Sequence, residues 1–309
     1  MTTADSSKDL NQISDSASGF DSNLAGRYQQ DKIFRIAALI ATLAGLVVLG
    51  FLVFDILVDG LGRLLQNFPS FINSFPSRSA DRAGVLSALV GSILLLIITA
   101  LAAFPLGVGT GIFLQEFGGD SWFSKFVEVN IGNLAAVPSI IYGLLGLTVF
   151  VDLLFNVTGG RSVVSAGLTL ALLILPVIIV ATREAMKAVP DSLRLAGFAL
   201  GSTRWQVIWE HVLPLALPGI LTGTILALSR AIGETAPLIV IGAATFVPFL
   251  PTNLKDSFTA LPIQIFNWTS RPQAAFHANA AAAIIVLMVL LLTMNAGAIF
   301  LRNKFQSER

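Results

Sequence analysis

Long apolar blocks separated by short polar connections run through this chain, and the length of those blocks decides its class. Residues 36–58 carry one charge, Asp55, near their end, and residues 280–301 carry none. A helix rises ~1.5 Å per residue, so ~20 apolar residues in a row cross a ~30 Å hydrocarbon layer. A soluble core helix needs only one apolar face. Six blocks are long enough, at about 36–58, 86–114, 126–151, 163–182, 217–241 and 280–301. The pattern therefore predicts an all-α, polytopic membrane protein with six transmembrane helices. The second block contains Pro105 with Gly107, Gly109 and Gly111 and is expected to tilt or bend there. Pro138 and Pro176 are expected to interrupt the third and fourth spans. Breaks inside a membrane are tolerated where neighbouring helices or a water-lined cavity satisfy the backbone, so they point to a packed bundle with an interior pathway.

Residues 1–32 are rich in Ser, Asp, Asn and Gln, and such a segment cannot offset the entropy of folding. It is expected to be a disordered cytoplasmic tail. It lacks the basic start, apolar core and small-residue cleavage site of a secretory signal, so residues 33–60 are expected to form an uncleaved first transmembrane helix.

Composition agrees with the pattern. The 309 residues are 55% apolar and only 12% charged, with mean hydropathy +0.81, and a soluble domain carries roughly twice that charge fraction. Charge placement sets the orientation. With the N-terminus inside, twelve of the nineteen Lys and Arg residues fall on the cytoplasmic side and six outside, while Arg230 lies within a span. The positive-inside rule then puts both termini in the cytoplasm. The chain has no cysteine, which excludes disulfides and thiolate metal sites. His211 and His277 stand far apart in no ligand spacing, so no metal site is expected. Between spans five and six, residues 242–279 carry Trp268, Phe246, Phe249, Phe258 and Phe266 on the external side. An interfacial aromatic belt is the first reading of these, and a docking surface for an external partner the second.

The cytoplasmic loop at 183–214 contains DSLRLAGFALGSTRWQVIWEHVLP. Apolar and small residues recur at helical spacing through Leu193, Ala196, Gly197, Leu200 and Gly201. A second amphipathic stretch follows, with Trp205, Ile208 and Trp209 set apart from Arg204, Gln206 and Glu210. This helix–glycine–helix unit resembles the coupling motif of ABC importer permeases, E-A-A-x-x-x-G-x₉-I-x-L-P. Ala196, Gly201, Leu213 and Pro214 fall on that pattern and Gly197 keeps its second alanine position small, while Leu195 replaces the leading acid and His211 the apolar residue before the end. The resemblance implies an ABC transmembrane type-1 permease domain at about 84–302, whose loop is a coupling helix docking on a separate ATPase. None of the six lysines precedes Ser or Thr, so the chain has no G-x-x-x-x-G-K-[ST] phosphate loop. ATP and magnesium would therefore belong to the partner ATPase, and no cofactor is expected in this chain.

The string LALSRAIGETAPL places Arg230 and Glu234 one turn apart inside the fifth span. A charge near the bilayer centre costs at least about 2.5–3.5 kcal/mol on insertion scales and normally faces a bundle interior or an aqueous cavity. A guanidinium offers forked donors matched to a tetrahedral oxyanion, and Glu234 would keep it paired when the route is empty. Position alone suits a structural salt bridge equally well. Thr235 adds either a hydroxyl donor or a bond back to its own helix. RAIGETAPL, with NLAAVPSIIYGLLGL from Asn133 and LPIQIFNWTSRP from Leu261, resembles the phosphate-specific permeases of bacteria, of the PstA type.

That resemblance implies a phosphate route through Arg230, Glu234 and Thr235. It also implies three partners: a PstC-like second permease, a PstB-like ATPase pair and a PstS-like external phosphate-binding protein. Two alternatives remain open, the same architecture carrying sulfate or molybdate and an ion-gradient-driven secondary transporter. The latter calls for several intramembrane ionisable groups where the chain has essentially one pair.

Overall fold

The computed structural model describes residues 24–119 and 121–307, and among these every regular element is helical. The α-helices of six or more residues are, in chain order, α1 (Leu24–Asn73), α2 (Leu86–Ile112), α3 (Trp122–Ala135), α4 (Ser139–Gly146), α5 (Val163–Lys187), α6 (Asp191–Ala199), α7 (Leu213–Gly233), α8 (Ala236–Ile241), α9 (Leu261–Thr269) and α10 (Ala274–Ser307). Among the described residues five helices are long and apolar enough to cross a membrane, and six if the bent α3–α4 pair counts as one span. The chain divides into two compact units, Met1–Asp55 and Ile56–Arg309.

Within the first unit only α1 is described. The expected tail lies outside the described residues from 1 to 23, but 24–32 are already helical rather than disordered. Arg27, Gln29, Gln30 and Lys32 are good helix formers, so a helix started in the apolar block extends backwards through them.

In the second unit α1 also continues past its expected end at 60, reaching Asn73 with a kink at Asn67 (φ −139°, ψ 33°) just before Pro69. Tertiary contacts hold this extension. At Gly60 the backbone lies so close to α10 that a Cβ would stand 2.8 Å from the Ala281 carbonyl carbon. Arg63 donates from Nε to Asn279 Oδ1 (2.7 Å) and from Nη2 to the Ala80 carbonyl (2.8 Å). Leu64 and Phe71 are buried in a cluster with Trp268 and Phe276.

α5 is the central helix, packed by α2, α7, α3 and α4. In lipid the hydrophobic effect does not drive helices together, so small residues that allow close backbone approach carry the packing. They lie where that argument needs them. A Cβ on Gly107 would stand 2.6 Å from Ile178 Cγ2, one on Gly111 2.6 Å from Thr182 Cβ, and one on Gly219 2.8 Å from Ala185 Cβ. Gly223 sits directly against Ala181 and tolerates no added carbon.

The prolines behave differently from one another. Around Pro138, α3 and α4 meet at a bend of 106°, as the third span was expected to break. Pro105 and Pro176, by contrast, lie inside uninterrupted α2 and α5. Pro176 is buried in the part of α5 that carries the core residues Ile174 and Ile178, and packing of this kind keeps a proline-containing helix continuous, whereas Pro105 is exposed. The aromatic loop also departs from expectation. Trp268 and Phe258 are core residues, whereas Phe246, Phe249 and Phe266 are exposed. Helix α9 folds back onto α2 and α10 and carries Trp268 inward.

Candidate functional site

Two sets of residues carry chemistry, one at each end of α7. The first is the loop expected to couple to an ATPase. α6 ends on Gly201, whose φ of +81° is in the left-handed region. Its N–H donates to the Phe198 carbonyl (3.0 Å), and the Ser202 N–H donates to Gly197 (3.1 Å), which closes the last turn of the helix. Thr203 then opens the next helical segment with a capping box. Its N–H donates to Gln206 Oε1 (2.8 Å) and its hydroxyl accepts from the Gln206 N–H (3.4 Å). Gly197 is buried against Val207, and a Cβ there would meet Val207 Cγ2 at 2.7 Å, which is the physical reason this position is small.

A wide π-helical turn, Val207–Val212, joins this segment to α7. It rotates the expected amphipathic pattern. Val207, Ile208 and Val212 face the core, while Trp205 and Trp209 stack on each other in the open, with ring centroids 5.6 Å apart. Ala196 and Gly201 are exposed, and Leu213 and Pro214 are half-buried where α7 begins. Leu193, Leu195, Phe198 and Leu200 complete an exposed apolar face, so no acid stands at Leu195.

An acid does stand beneath it. Glu116, in the π-helical turn Phe113–Phe117 that ends α2, receives Arg194 Nη2 at 2.7 Å and Nε at 3.3 Å. Sequence reasoning missed this pair. The available signal was that Glu116 is the lone charge in an apolar stretch from residue 84 to residue 119.

The second set is the intramembrane pair. Arg230 and Glu234 meet as predicted, with Nε to Oε1 at 3.1 Å. They do not share a continuous helix. α7 stops at Gly233; Glu234 is extended (φ −75°, ψ 117°), and α8 restarts at Ala236–Pro237. Pro237 has no N–H to continue the ladder to Gly233 but suits the first turn of a new helix, which accounts for the restart. Thr235 lies at the break, and its hydroxyl donates to the Gly233 carbonyl at the end of α7 (3.5 Å), two residues back rather than the four of a continuous helix.

The Arg230 side chain is 51% exposed and that of Glu234 17%. The pair is therefore not sealed in dry packing but opens on one face of the subunit. Tyr142 of α4 is buried in one cluster with Ala227 and Ala231 of α7, and its hydroxyl donates to the Leu134 carbonyl (2.8 Å) at the α3–α4 bend. Beside the break an open groove of about 520 Å³ runs past Gly233, Thr235, Ala236, Ile239, Pro262 and Phe266. The discontinuous helix, the bend and the cation thus converge on one region. Unwound backbone at membrane depth is tolerated where it lines a cavity or an interface. Among the described residues no cluster of His, Asp or Glu could hold a metal ion.

Residues 103–302 match the family described as binding-protein-dependent transport system inner membrane component. The phosphate transport system permease protein PstA of Yersinia pestis is 33% identical over 282 residues, covering 91% of this chain and 93% of that protein. The protein of the same name from Haemophilus influenzae is 32% identical over 285 residues, covering 92% and 96%. Among solved structures, a chain of a bacterial ABC transporter involved in import of the acidic polysaccharide alginate superposes with a TM-score of 0.60. It is 18% identical and covers 89% of this chain and 98% of its own, a likeness of fold alone.

Proposed function

The chain belongs to the binding-protein-dependent transport system inner membrane component family, and we propose that it is the transmembrane permease subunit of an ATP-driven importer of inorganic phosphate. The subunit is non-catalytic and works in the inner membrane. In this reading a PstC-like permease faces the open side of the chain, a PstB-like ATPase dimer docks on the coupling loop, and a PstS-like binding protein delivers phosphate from outside. ATP and magnesium stay on the ATPase. Both termini lie in the cytoplasm, in keeping with the excess of Lys and Arg on that side.

The observation that carries the reading is the half-exposed Arg230 guanidinium, tied through Nε to Glu234 at a helix break beside an open groove. Among the described residues its one hydrogen bond is that Nε contact, which leaves both Nη atoms for an anion's oxygens. A phosphate arriving there accepts from the fork of donors, and the nearby carboxylate keeps the complex weak enough to release. Thr235 offers a hydroxyl at the same break. ATP-driven closure of the ATPase pair moves α6, the helices rock, and the Arg230 region opens alternately to the two sides.

The test is uptake of radiolabelled phosphate into vesicles carrying the complete transporter. Hydrogen bonds to charged groups are worth about 1.5–3 kcal/mol, so Arg230→Gln should lower uptake about tenfold or more while assembly persists. Normal uptake by that variant removes Arg230 from the route. Uptake by the native complex that sulfate or molybdate competes away as well as unlabelled phosphate does would replace the cargo.

A further inference from the structure

Arg194 lies on the inner side of α6, and its guanidinium joins three elements at once. It reaches Glu116 at the end of α2 through Nη2 (2.7 Å) and Nε (3.3 Å). From Nη1 it donates to the Val189 carbonyl (2.8 Å) and to Asp191 (3.1 Å), and from Nη2 to the Met186 carbonyl at the end of α5 (2.9 Å). The Arg194 and Glu116 side chains are only 14% and 8% exposed. The other close contact under α6, Gly197 on Val207, is apolar and has no fixed direction.

We propose that the Arg194–Glu116 pair is a strap that makes α2 and α5 follow the coupling helix, so that a displacement of α6 reaches the broken α7 as one rigid movement. This rests on the permease reading above. A buried ion pair contributes little net stability compared with apolar packing of the same volume, so a structural role alone gives little reason for one here. What it supplies is direction, because a planar guanidinium holds a carboxylate and two carbonyls in one fixed geometry. Beyond the strap the helices are already in backbone-close contact. α2 packs on α5 through Gly107 and Gly111, and α5 packs on α7 through Gly219 and Gly223. Arg230 lies two turns further along α7 than Gly223. Interfaces this tight transmit displacement because they cannot deform gradually.

The test uses the assembled transporter and two readouts. Spin labels go to Phe113→Cys, in the turn that ends α2, and Leu200→Cys, just after α6, in a transporter whose other subunits carry no reactive cysteine; this chain has none of its own. With native Glu116, that distance distribution should stay the same with and without a non-hydrolysable ATP analogue. With Glu116→Gln or Glu116→Leu it should broaden and become nucleotide-dependent, and phosphate moved per ATP hydrolysed should fall about 5–150-fold, the usual range of a coupling energy. Glu116→Asp, which keeps the charge, should recover most of that ratio.

A separation that already changes with nucleotide in the native protein overturns the strap. So does a Glu116 variant whose distances and transport ratio match the native ones, or one in which uptake and hydrolysis decline together. If the native complex takes up no phosphate, the cargo assignment fails, and the distance readout still decides the strap.

Discussion

Replacing Gly201 by alanine isolates the backbone requirement of the turn that follows α6. Its φ is +81°, and a Cβ built there has nothing within 4 Å, so any effect comes from the backbone and not from a collision. An L-residue held in the left-handed region costs about 1–2 kcal/mol. That strain falls on two hydrogen bonds, Gly201 N–H to Phe198 and Ser202 N–H to Gly197, which together end α6. An energy of about 1–2 kcal/mol shifts a local open–closed equilibrium by a factor of roughly 5–30. Hydrogen exchange at the residue 201 and 202 amides should accelerate by about that factor in Gly201→Ala. Asparagine tolerates left-handed backbone and should lose less, whereas β-branched valine should lose more. Transport by the assembled complex should follow the order Gly, Asn, Ala, Val. Gly197→Ala offers a contrast, because its added carbon meets Val207 Cγ2 at 2.7 Å. Val207→Ala should relieve Gly197→Ala and do nothing for Gly201→Ala. Unchanged exchange in Gly201→Ala, or an asparagine variant worse than the alanine one, would refute the backbone argument.

Other expectations concern the packing and the outer loop. Gly223→Val drives a side chain into Ala181 on α5, and overpacking of this kind costs about 1–3 kcal/mol or more, so detergent-extracted protein should lose thermal stability. Ala181→Gly in the same chain should restore part of the loss; no recovery would argue against this contact as the cause. In the loop before α9, the Asp256 carboxylate accepts from the Asn253 and Thr252 N–H groups (both 2.8 Å), and these bonds hold its pKa below the ordinary aspartate range. A lowered folded-state pKa means the loop's stabilisation is complete above the unfolded value and is lost as pH falls through the folded one. Protease resistance of residues 252–256 should therefore be flat from neutral pH down to about pH 4, near the unfolded value, and decline only in stronger acid. Asp256→Asn should show weakened resistance at neutral pH, and an acid-sensitive native loop at pH 6 would count against the assignment.

Hydropathy, chain length and motif spacing were enough to establish the class of this protein. Apolar runs of membrane length required helices because hydrocarbon offers the backbone no partners, and the loop pattern around Ala196, Gly197 and Gly201 stood out because glycine and small residues have few other reasons to recur there. The pairing of Arg230 with Glu234 was legible for the same local reason, a separation of one turn. Where α1 ends, which prolines break their helices and which way Trp205, Trp209 and Trp268 point were decided only in three dimensions, by what each segment packs against. The break at Glu234–Thr235 and the junction of Glu116 with Arg194 belong to that second kind. The partners in the latter are 78 positions apart, and local periodicity holds no information about contacts at such separation.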